Sequence, residues 1–262
     1  MMNASVPYFG LFHGRRRHAQ GCFLVVLCLV GHSTPALAHR EDYLDETFVY
    51  ETIGRHVAEL EYRARFLRES RRKEGEEFCT STPVVEFGLT DHTMIELASD
   101  WGTARNFAEF GGAFAQIRHR FGDEGDYPLD PAIGLEYETE REDGTLGHFL
   151  VPTLVLSKDV GEFNVTANAF LKRGLDNATS KPWEFQYAFG LRYGRHGLRW
   201  GAEIKALGVD RRYFLPQVTI PITHDLTLKV GAGSRLSPKS PEFLAECLVE
   251  WEIGEKTKEE ER

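Results

Sequence analysis

Acidic and basic side chains recur at every second position in several stretches of this sequence. Glu59, Glu61, Arg63 and Arg65 form one such row, with apolar or small residues between them. Because side chains alternate between the two faces of an extended strand, the charges of a row share one face. Fixed charges on one face can pair with one another, or they can line a path for ions and small polar solutes. We predict that they line an enclosed interior, as a pore or as a plug, and the full set is Glu59, Glu61, Arg63, Arg65, Glu86, Glu96, Arg118, Arg120, Glu136, Glu138, Glu184, Arg192, Arg199, Glu203, Lys205, Lys229, Glu246 and Glu250.

The histidines and serines do not combine into a catalytic pattern. His92 and His224 each stand beside an aspartate in a predicted turn, where Asx hydrogen bonds explain them better than metal binding does. His119 falls on the apolar face of a predicted strand, but no serine pairs with it by sequence pattern. The sequence also lacks a Gly-x-Ser-x-Gly elbow. We therefore predict no catalytic residues and no enzymatic activity.

No cofactor and no metal site are predicted, with one alternative at His39. If a leader is removed just before this residue, its free amino group and imidazole form a pair that can chelate copper. The favoured interpretation is that a histidine stands there by accident. Cys79 and Cys247 fall on the apolar faces of predicted strands that need not be neighbours, which favours free buried thiols over a disulfide.

Residues 183–193, WEFQYAFGLRY, show which kind of element must carry the charged faces. Every odd position in this stretch is large and apolar and nearly every even position is not, a period that a helix cannot produce. About ten residues with apolar side chains on one face, polar ones on the other and aromatic residues at both ends are typical of a transmembrane β-strand. A strand of a soluble β-sandwich is the alternative.

The same alternation recurs along the chain and predicts about twelve strands. An even number is typical of single-chain bacterial barrels, so the predicted fold class is all-β, a transmembrane antiparallel up-and-down β-barrel. Residues 149–156 fit the pattern least, because they are apolar on both faces. The predicted strands cover residues 56–69, 85–90, 95–98, 113–120, 133–138, 149–156, 163–169, 183–193, 198–205, 214–222, 226–231 and 243–253.

The connections between these strands are predicted to alternate between short and long. This rhythm is typical of barrels with short periplasmic turns and longer extracellular loops. The short connections are residues 91–92, 158–162, 194–197 and 223–225, and the longer ones are residues 71–77, 101–109, 172–181 and 237–241.

The composition and the N-terminus indicate export. The chain has 262 residues, a formal net charge of -9 and no long basic tract, which argues against a nucleic-acid partner. Three arginines at 15–17 precede an apolar run at 22–30, and Ala-Leu-Ala at 36–38 is a small-x-small cleavage site. Residues 1–38 are therefore predicted to be a signal peptide that is cleaved near Ala38. No later run is apolar enough for a membrane-spanning helix.

Three further segments complete the predicted organisation. Residues 55–254 form the barrel, and residues 255–262 form a charged C-terminal tail. The acidic segment 39–54 has three alternatives that the sequence leaves open: a periplasmic extension, a plug inside the lumen, or an additional strand.

The leader ending in Ala-Leu-Ala, the acidic start HREDYLDET and the turns GLTDH and ITHDLTLKVG together resemble a known family. This family consists of the bacterial outer-membrane β-barrels that are loosely described as transporters, and it includes barrels of aromatic-degradation pathways. The likeness covers most of residues 39–254 and implies a Gram-negative outer membrane, with its lipid and the barrel-assembly machinery as partners. The chain departs from the family after Trp251-Glu252-Ile253, because a charged tail follows where such barrels usually end on an aromatic residue.

The favoured function is a narrow channel or transporter for small solutes or ions through a charged lumen, because a polar-lined barrel in that membrane usually provides passage. The alternative is a non-conducting structural or scaffold barrel in which the charges form a plug. An outer-membrane lipid hydrolase is less favoured, since it requires a serine and a histidine together on the outer surface. The solute or ion is not identified by the sequence.

Overall fold

The computed structural model describes residues 42–45, 47–68, 77–104, 107–142, 145–176, 182–194, 197–207, 211–238, 240 and 242–254. The predicted signal peptide, the alternative copper site at His39 and the charged tail at 255–262 lie outside these residues and stay predictions. Among the described residues, no helix is long and apolar enough to cross a membrane.

Twelve β-strands form a closed barrel in the described part of the chain. Each strand pairs antiparallel with its neighbours in sequence, and the last strand pairs with the first. The fold class predicted from the alternation is therefore confirmed. The strands are β1 (Ala58–Arg68), β2 (Glu77–Thr90), β3 (Thr93–Ala104), β4 (Phe107–Arg120), β5 (Asp130–Glu142), β6 (Thr145–Val160), β7 (Phe163–Gly174), β8 (Glu184–Tyr193), β9 (Arg199–Leu207), β10 (Arg211–Pro221), β11 (Leu226–Arg235) and β12 (Phe243–Ile253).

The alternation of side chains decides which residues face the interior of the barrel. In β8, Phe189, Leu191 and Tyr193 are exposed on the outside, whereas Gly190 and Arg192 are buried on the inside. The other strands repeat this arrangement, so the outer face is apolar and the inner face is polar. This is the reverse of a soluble barrel, and it requires an apolar medium around the outside.

Closure of the barrel comes from the pairing of β1 with β12. The two strands pair over the whole of β1, from Ala58 opposite Ile253 to Arg68 opposite Phe243. Closure leaves no free sheet edge, because each strand has a hydrogen-bonded neighbour on both sides.

The longer loop predicted at 101–109 is wrong, because β3 and β4 extend into it. The register shifts between Asp100 and Trp101, and the pairing passes over Gly111 of β4 as an extra residue. This bulge switches the alternation within β4, which brings Phe110 beside Trp101 with their ring centroids 5.6 Å apart. A strand whose alternation switches does not show a period of two, and this is why the pattern looked like a loop.

The predicted rhythm of short and long connections holds only in part. The tight turn at 91–92 and the longer connection between β1 and β2 are present. In contrast, β5 ends at Glu142 and β6 begins at Thr145, although this end of the barrel was predicted to carry long loops. Residues 121–129 connect β4 to β5 at the opposite end, and this longer turn, which the sequence predicts at 122–131, also departs from the rhythm.

Strand β6 is longer than the predicted 149–156, and its two apolar faces have a simple cause. On the inner face, Val151 and Val155 belong to one buried cluster with Phe48 and Tyr50 of the segment before β1. The inner face of β6 therefore packs against apolar side chains rather than against charges, while its outer face is apolar like that of the other strands.

Cys79 and Cys247 form no disulfide bond in the part of the chain that the structure describes. Cys79 is exposed on the outer face of β2, so its predicted burial is wrong, and Cys247 is half-buried on the outer face of β12. The sequence pattern placed both on the correct face, but the outer face of this barrel is not a protein core.

Candidate functional site

The structure places nearly all of the predicted charged residues on the inner face of the barrel. Arg65, Arg120, Glu136 and Glu138 are half-buried there, whereas Glu184 is exposed at the start of β8. The remaining members of the set are buried: Glu59, Glu61, Arg63, Glu86, Glu96, Arg118, Arg192, Arg199, Glu203, Lys205, Lys229, Glu246 and Glu250. Charged side chains that line an open aqueous pore would be exposed, so other atoms must cover these residues.

The segment before β1 covers them. We refer to the described residues between 42 and 57 as the luminal segment, because their side chains contact the inner faces of strands all around the barrel. The segment has no regular secondary structure. Its buried residues are Tyr43, Leu44, Asp45, Thr47, Phe48, Val49, Tyr50, Thr52, Ile53 and Val57.

An ion pair fixes the start of the luminal segment. The Asp42 carboxylate lies 2.6 Å from Nη1 of Arg118, a buried guanidinium on β4. The same carboxylate accepts a hydrogen bond from the backbone N–H of Val49 at 2.6 Å, which folds the segment back on itself. On the other side of the lumen, Lys229 Nζ donates to the Asp42 carbonyl oxygen at 3.0 Å.

Asp45 is the second ionic anchor and is completely buried. Its carboxylate forms an ion pair with Arg65 and accepts a hydrogen bond from the Tyr213 hydroxyl. Lys205 Nζ lies 3.7 Å from the same carboxylate. The position of Asp45 is therefore set by β1, β9 and β10 together.

Uncharged polar residues of the barrel bind the backbone of the luminal segment. The Asn168 side chain accepts from Phe48 N at 2.7 Å and donates to Phe48 O at 2.9 Å. Gln217 Oε1 accepts from Leu44 N at 2.9 Å. These amides satisfy backbone groups that would be costly to bury unpaired.

Tyr43 places a phenol between the luminal segment and β7. Its hydroxyl donates to Asn164 Oδ1 at 2.9 Å, and the Arg192 guanidinium lies 5.2 Å from the centre of its ring. Burial raises the pKa of Tyr43 above the usual tyrosine value, because the charged phenolate is poorly solvated there.

Apolar side chains of the luminal segment also pack against the barrel. Leu44 lies in a buried cluster with Leu215, Leu244, Leu248 and Tyr213. Because a fully buried leucine contributes about 1.5–3 kcal/mol, such clusters hold the segment firmly.

The acidic residues of β1, β2, β3 and β12 form one wall of the lumen. Glu59 stands directly opposite Glu86, which stands opposite Glu96. Glu61 stands opposite Glu250. Like charges are therefore adjacent on these neighbouring strands, an arrangement that is destabilising unless other groups compensate it.

Basic side chains compensate part of this acidic wall. Lys229 Nζ lies 2.5 Å from a Glu250 carboxylate oxygen, and Arg63 Nη2 lies 3.6 Å from Glu61. The carboxylates of Glu59, Glu61 and Glu250 lie within 4.8 Å of one another, a spacing that suits a cation. The neighbouring lysine and arginine already provide positive charge at this place.

His224 and His119 make side-chain contacts in a turn and on the outer face of the barrel, respectively. His224 Nδ1 lies 2.5 Å from the Asp225 carboxylate in an exposed turn. His119 Nδ1 lies 2.9 Å from Thr93 Oγ1, a hydroxyl partner that the sequence pattern did not identify. In the part of the chain that the structure describes, no carboxylate orients His119, so a hydrolase triad is not formed there.

Comparison with known proteins supports the fold but does not identify a family. No protein-family model matches the chain, and no curated protein matches it. Among solved structures, the KdgM porin has a TM-score of 0.54 at 8% identity, covering 75% of this chain and 99% of that chain. The KdgM porin in complex with disordered oligogalacturonate has a TM-score of 0.50, also at 8% identity, covering 76% of this chain and 99% of that chain. At this identity the likeness concerns the fold, a closed antiparallel barrel, and the resemblance to barrels of aromatic-degradation pathways stays a prediction.

Proposed function

We propose that the chain is an outer-membrane channel for small polar solutes or ions, and that the luminal segment closes it in this state. The apolar outer face supports a membrane location: Ile117 and Leu135, which are opposite each other on β4 and β5, are 45% exposed each. Trp183 and Tyr193, at the two ends of the β8 region, are also exposed, where aromatic girdles meet the membrane interfaces. Lipid of the outer membrane would surround this face, and the barrel-assembly machinery would insert the chain.

One observation carries the proposal of a channel: ion pairs and hydrogen bonds hold the luminal segment against a polar wall. Asp42 with Arg118, and Asp45 with Arg65, are contacts that water or a polar solute can replace when the segment leaves. A buried ion pair gives little net stability compared with a well-packed apolar interior. A barrel whose interior served only a structural purpose would be more stable with apolar side chains at these positions.

A structural barrel that conducts nothing is the second candidate, and the apolar contacts of the luminal segment favour it. Phe48 and Tyr50 pack with Val151, Val155 and Phe170, and Leu44 packs in a second cluster. If these contacts outweigh the polar ones, the segment stays in place permanently. The two candidates therefore differ in whether the luminal segment can leave.

The solute class follows from the charges of the inner wall and not from the oligogalacturonate with which the KdgM porin has been solved. The inner wall here carries both signs of charge, so we propose small charged or zwitterionic solutes as the class that passes.

The conductance of the refolded chain from His39 to the C-terminus tests the proposal in a planar bilayer. A variant that lacks residues 39–54, and with them all of the luminal segment except residues 55–57, is the comparison. The heat-dependent gel shift of folded barrels verifies folding of both. We expect rare openings with the whole chain and large, steady, ion-selective currents without the segment. A folded variant without the segment that carries no current would rule out the channel and leave the structural barrel.

A further inference from the structure

The barrel binds every polar group of one residue of the luminal segment. The backbone N–H of Asp45 donates to Glu203 Oε1 at 3.0 Å, and its carbonyl oxygen accepts from Lys205 Nζ at 3.1 Å. Its side-chain carboxylate is held by Arg65 and by the Tyr213 hydroxyl. We call the four barrel side chains the Asp45 site.

The Asp45 site is held in shape by the barrel itself. Gln217 Nε2 donates to Glu203 Oε1 at 2.8 Å, and Arg65 Nη2 lies 3.1 Å from Glu246 Oε1. These supporting contacts do not involve the luminal segment. Glu203 and Arg65 therefore have partners that remain when Asp45 leaves, and such preorganisation favours binding of a replacement.

The charges of the Asp45 site suit a free amino acid better than they suit a peptide. The Glu203 carboxylate faces a neutral N–H of Asp45, where a free ligand would present an ammonium group. Lys205 also lies 3.7 Å from the side-chain carboxylate of Asp45, but its hydrogen bond goes to a neutral carbonyl oxygen, where a free ligand would present its α-carboxylate. Arg65 and Tyr213 face a carboxylate in both cases. At both positions a contact between a charged group and a neutral one would become an ion pair, so the free ligand gains Coulomb attraction at two positions.

We propose that the Asp45 site binds a free acidic amino acid, with L-aspartate as the closest fit, in place of Asp45 of the chain itself. This inference rests on the proposed channel function and specifies its solute class. Binding of the amino acid displaces the luminal segment and opens the path, so that the segment acts as an internal substitute for the solute.

The tethering of Asp45 determines the concentration of solute that is needed. A segment joined directly to β1 competes as an intramolecular ligand with an effective concentration of the order of millimolar. Because the contacts of Asp42, Phe48 and Leu44 with the barrel must break as well, half-maximal opening is expected at millimolar L-aspartate or above. A channel of this kind conducts when its solute is abundant and stays closed otherwise.

Single-channel recording of the chain from His39 onward tests the inference with three probes at equal ionic strength: L-aspartate, succinate and L-asparagine. Succinate has no ammonium group and L-asparagine has no side-chain carboxylate. We expect the open fraction to rise with L-aspartate, less with succinate and least with L-asparagine. Equal responses to all three probes, in a channel that conducts, would overturn the inference and leave the channel function intact.

Substitutions of the site separate binding from a general effect of charge. Glu203→Gln should remove the advantage of L-aspartate over succinate, because the ammonium group loses its carboxylate partner. Lys172→Met is the matched control, since Lys172 pairs with Glu138 and Glu140 and takes no part in the Asp45 site. If L-aspartate still opens the Glu203→Gln channel more than succinate does, Glu203 is not the partner of the ammonium group and the proposed site is contradicted.

Asp45→Asn provides a second measurement if Glu203→Gln does not fold. It removes the negative charge with which the luminal segment competes, so half-maximal opening should need about tenfold less L-aspartate. An unchanged half-maximal concentration would show that L-aspartate does not act at this site. If the whole chain and the variant lacking residues 39–54 are both silent, the channel function itself fails instead.

Discussion

The ring of Tyr43 occupies the space that a side chain at Gly190 would need. A Cβ atom added at Gly190 would lie 2.6 Å from Cζ of Tyr43, well inside van der Waals contact. Gly231 has the same relationship to Leu44, with a Cβ-to-Cδ2 distance of 2.7 Å. The inner wall of the barrel is thus shaped to receive two neighbouring side chains of the luminal segment.

Gly190→Ala should therefore loosen the luminal segment. The added methyl group overpacks the contact with the Tyr43 ring, a change that costs about 1–3 kcal/mol in a well-packed interior. We expect a higher open fraction in bilayer recordings, without loss of the folded barrel. Gly134→Ala is the matched control, because a Cβ at Gly134 finds its nearest neighbour at an ordinary 3.4 Å. Equal open fractions in the two variants would show that the Tyr43 contact does not hold the channel closed.

Arg118→Ala and Arg120→Ala should differ in their effect on ion selectivity, although both residues lie on the same strand. Arg118 is buried against Asp42, whereas Arg120 pairs with Asp123 at 3.2 Å near the turn after β4. Loss of Arg118 removes a positive charge from the lumen, so the reversal potential in a salt gradient should shift toward cation selectivity. Arg120→Ala should leave it nearly unchanged. Unaltered selectivity in Arg118→Ala would contradict the placement of this residue along the path.

The direction in which side chains point could be predicted from the sequence, because alternation within a strand is a local property. Arg192 and Lys229 are buried on the inner face for that reason alone. The adjacency of Glu59, Glu86 and Glu96 could not be predicted, since it depends on the register between strands. The register is set by the geometry of the turns and by closure of the barrel. The alternation of side chains within a single strand contains no information about either.

The luminal segment was not assigned because it has no periodic pattern. Its position depends on contacts with residues far along the chain, such as Asn168 for Phe48 and Gln217 for Leu44. A signal for these partners was present in the sequence, because uncharged amides at inward positions of a barrel strand have to bind something.

Tyr43 should resist alkaline titration in the folded barrel. Burial raises its pKa above the unfolded value of about 10. Because the folded-state pKa is the higher one, the contribution of Tyr43 to stability is complete below about pH 10 and decreases as the pH rises beyond it.

The titration of Tyr43 can be measured by comparing the tyrosinate absorbance of the chain from His39 onward with that of its Tyr43→Phe variant. In the folded state the two proteins should show the same rise near the usual tyrosine pKa. In denaturant, the unsubstituted protein should show the absorbance of one additional tyrosinate. If the folded proteins already differ by one tyrosinate at moderately alkaline pH, Tyr43 is accessible to solvent and the luminal segment is not docked.

The outer face leads to a prediction about depth in the membrane. Leu135, in the middle of β5, and Leu146, near the start of β6, are both exposed on the outside, by 45% and 38%. An arginine on the lipid face of a barrel costs about 2–4 kcal/mol at the bilayer midplane and about 0–1 kcal/mol near the interfaces. Leu135→Arg should therefore destabilise the inserted barrel far more than Leu146→Arg does, in denaturant unfolding from lipid vesicles.

This pair separates a membrane barrel from a soluble one, because the substitution and the exposure of the replaced leucine are nearly the same at both positions. On a barrel surrounded by water, an arginine at either exposed position would change stability only slightly. Equal and small effects at both positions would mean that the apolar outer face does not contact lipid. This result would contradict the proposal of an outer-membrane channel. A large cost confined to Leu135→Arg would place the middle of β5 within the hydrocarbon layer.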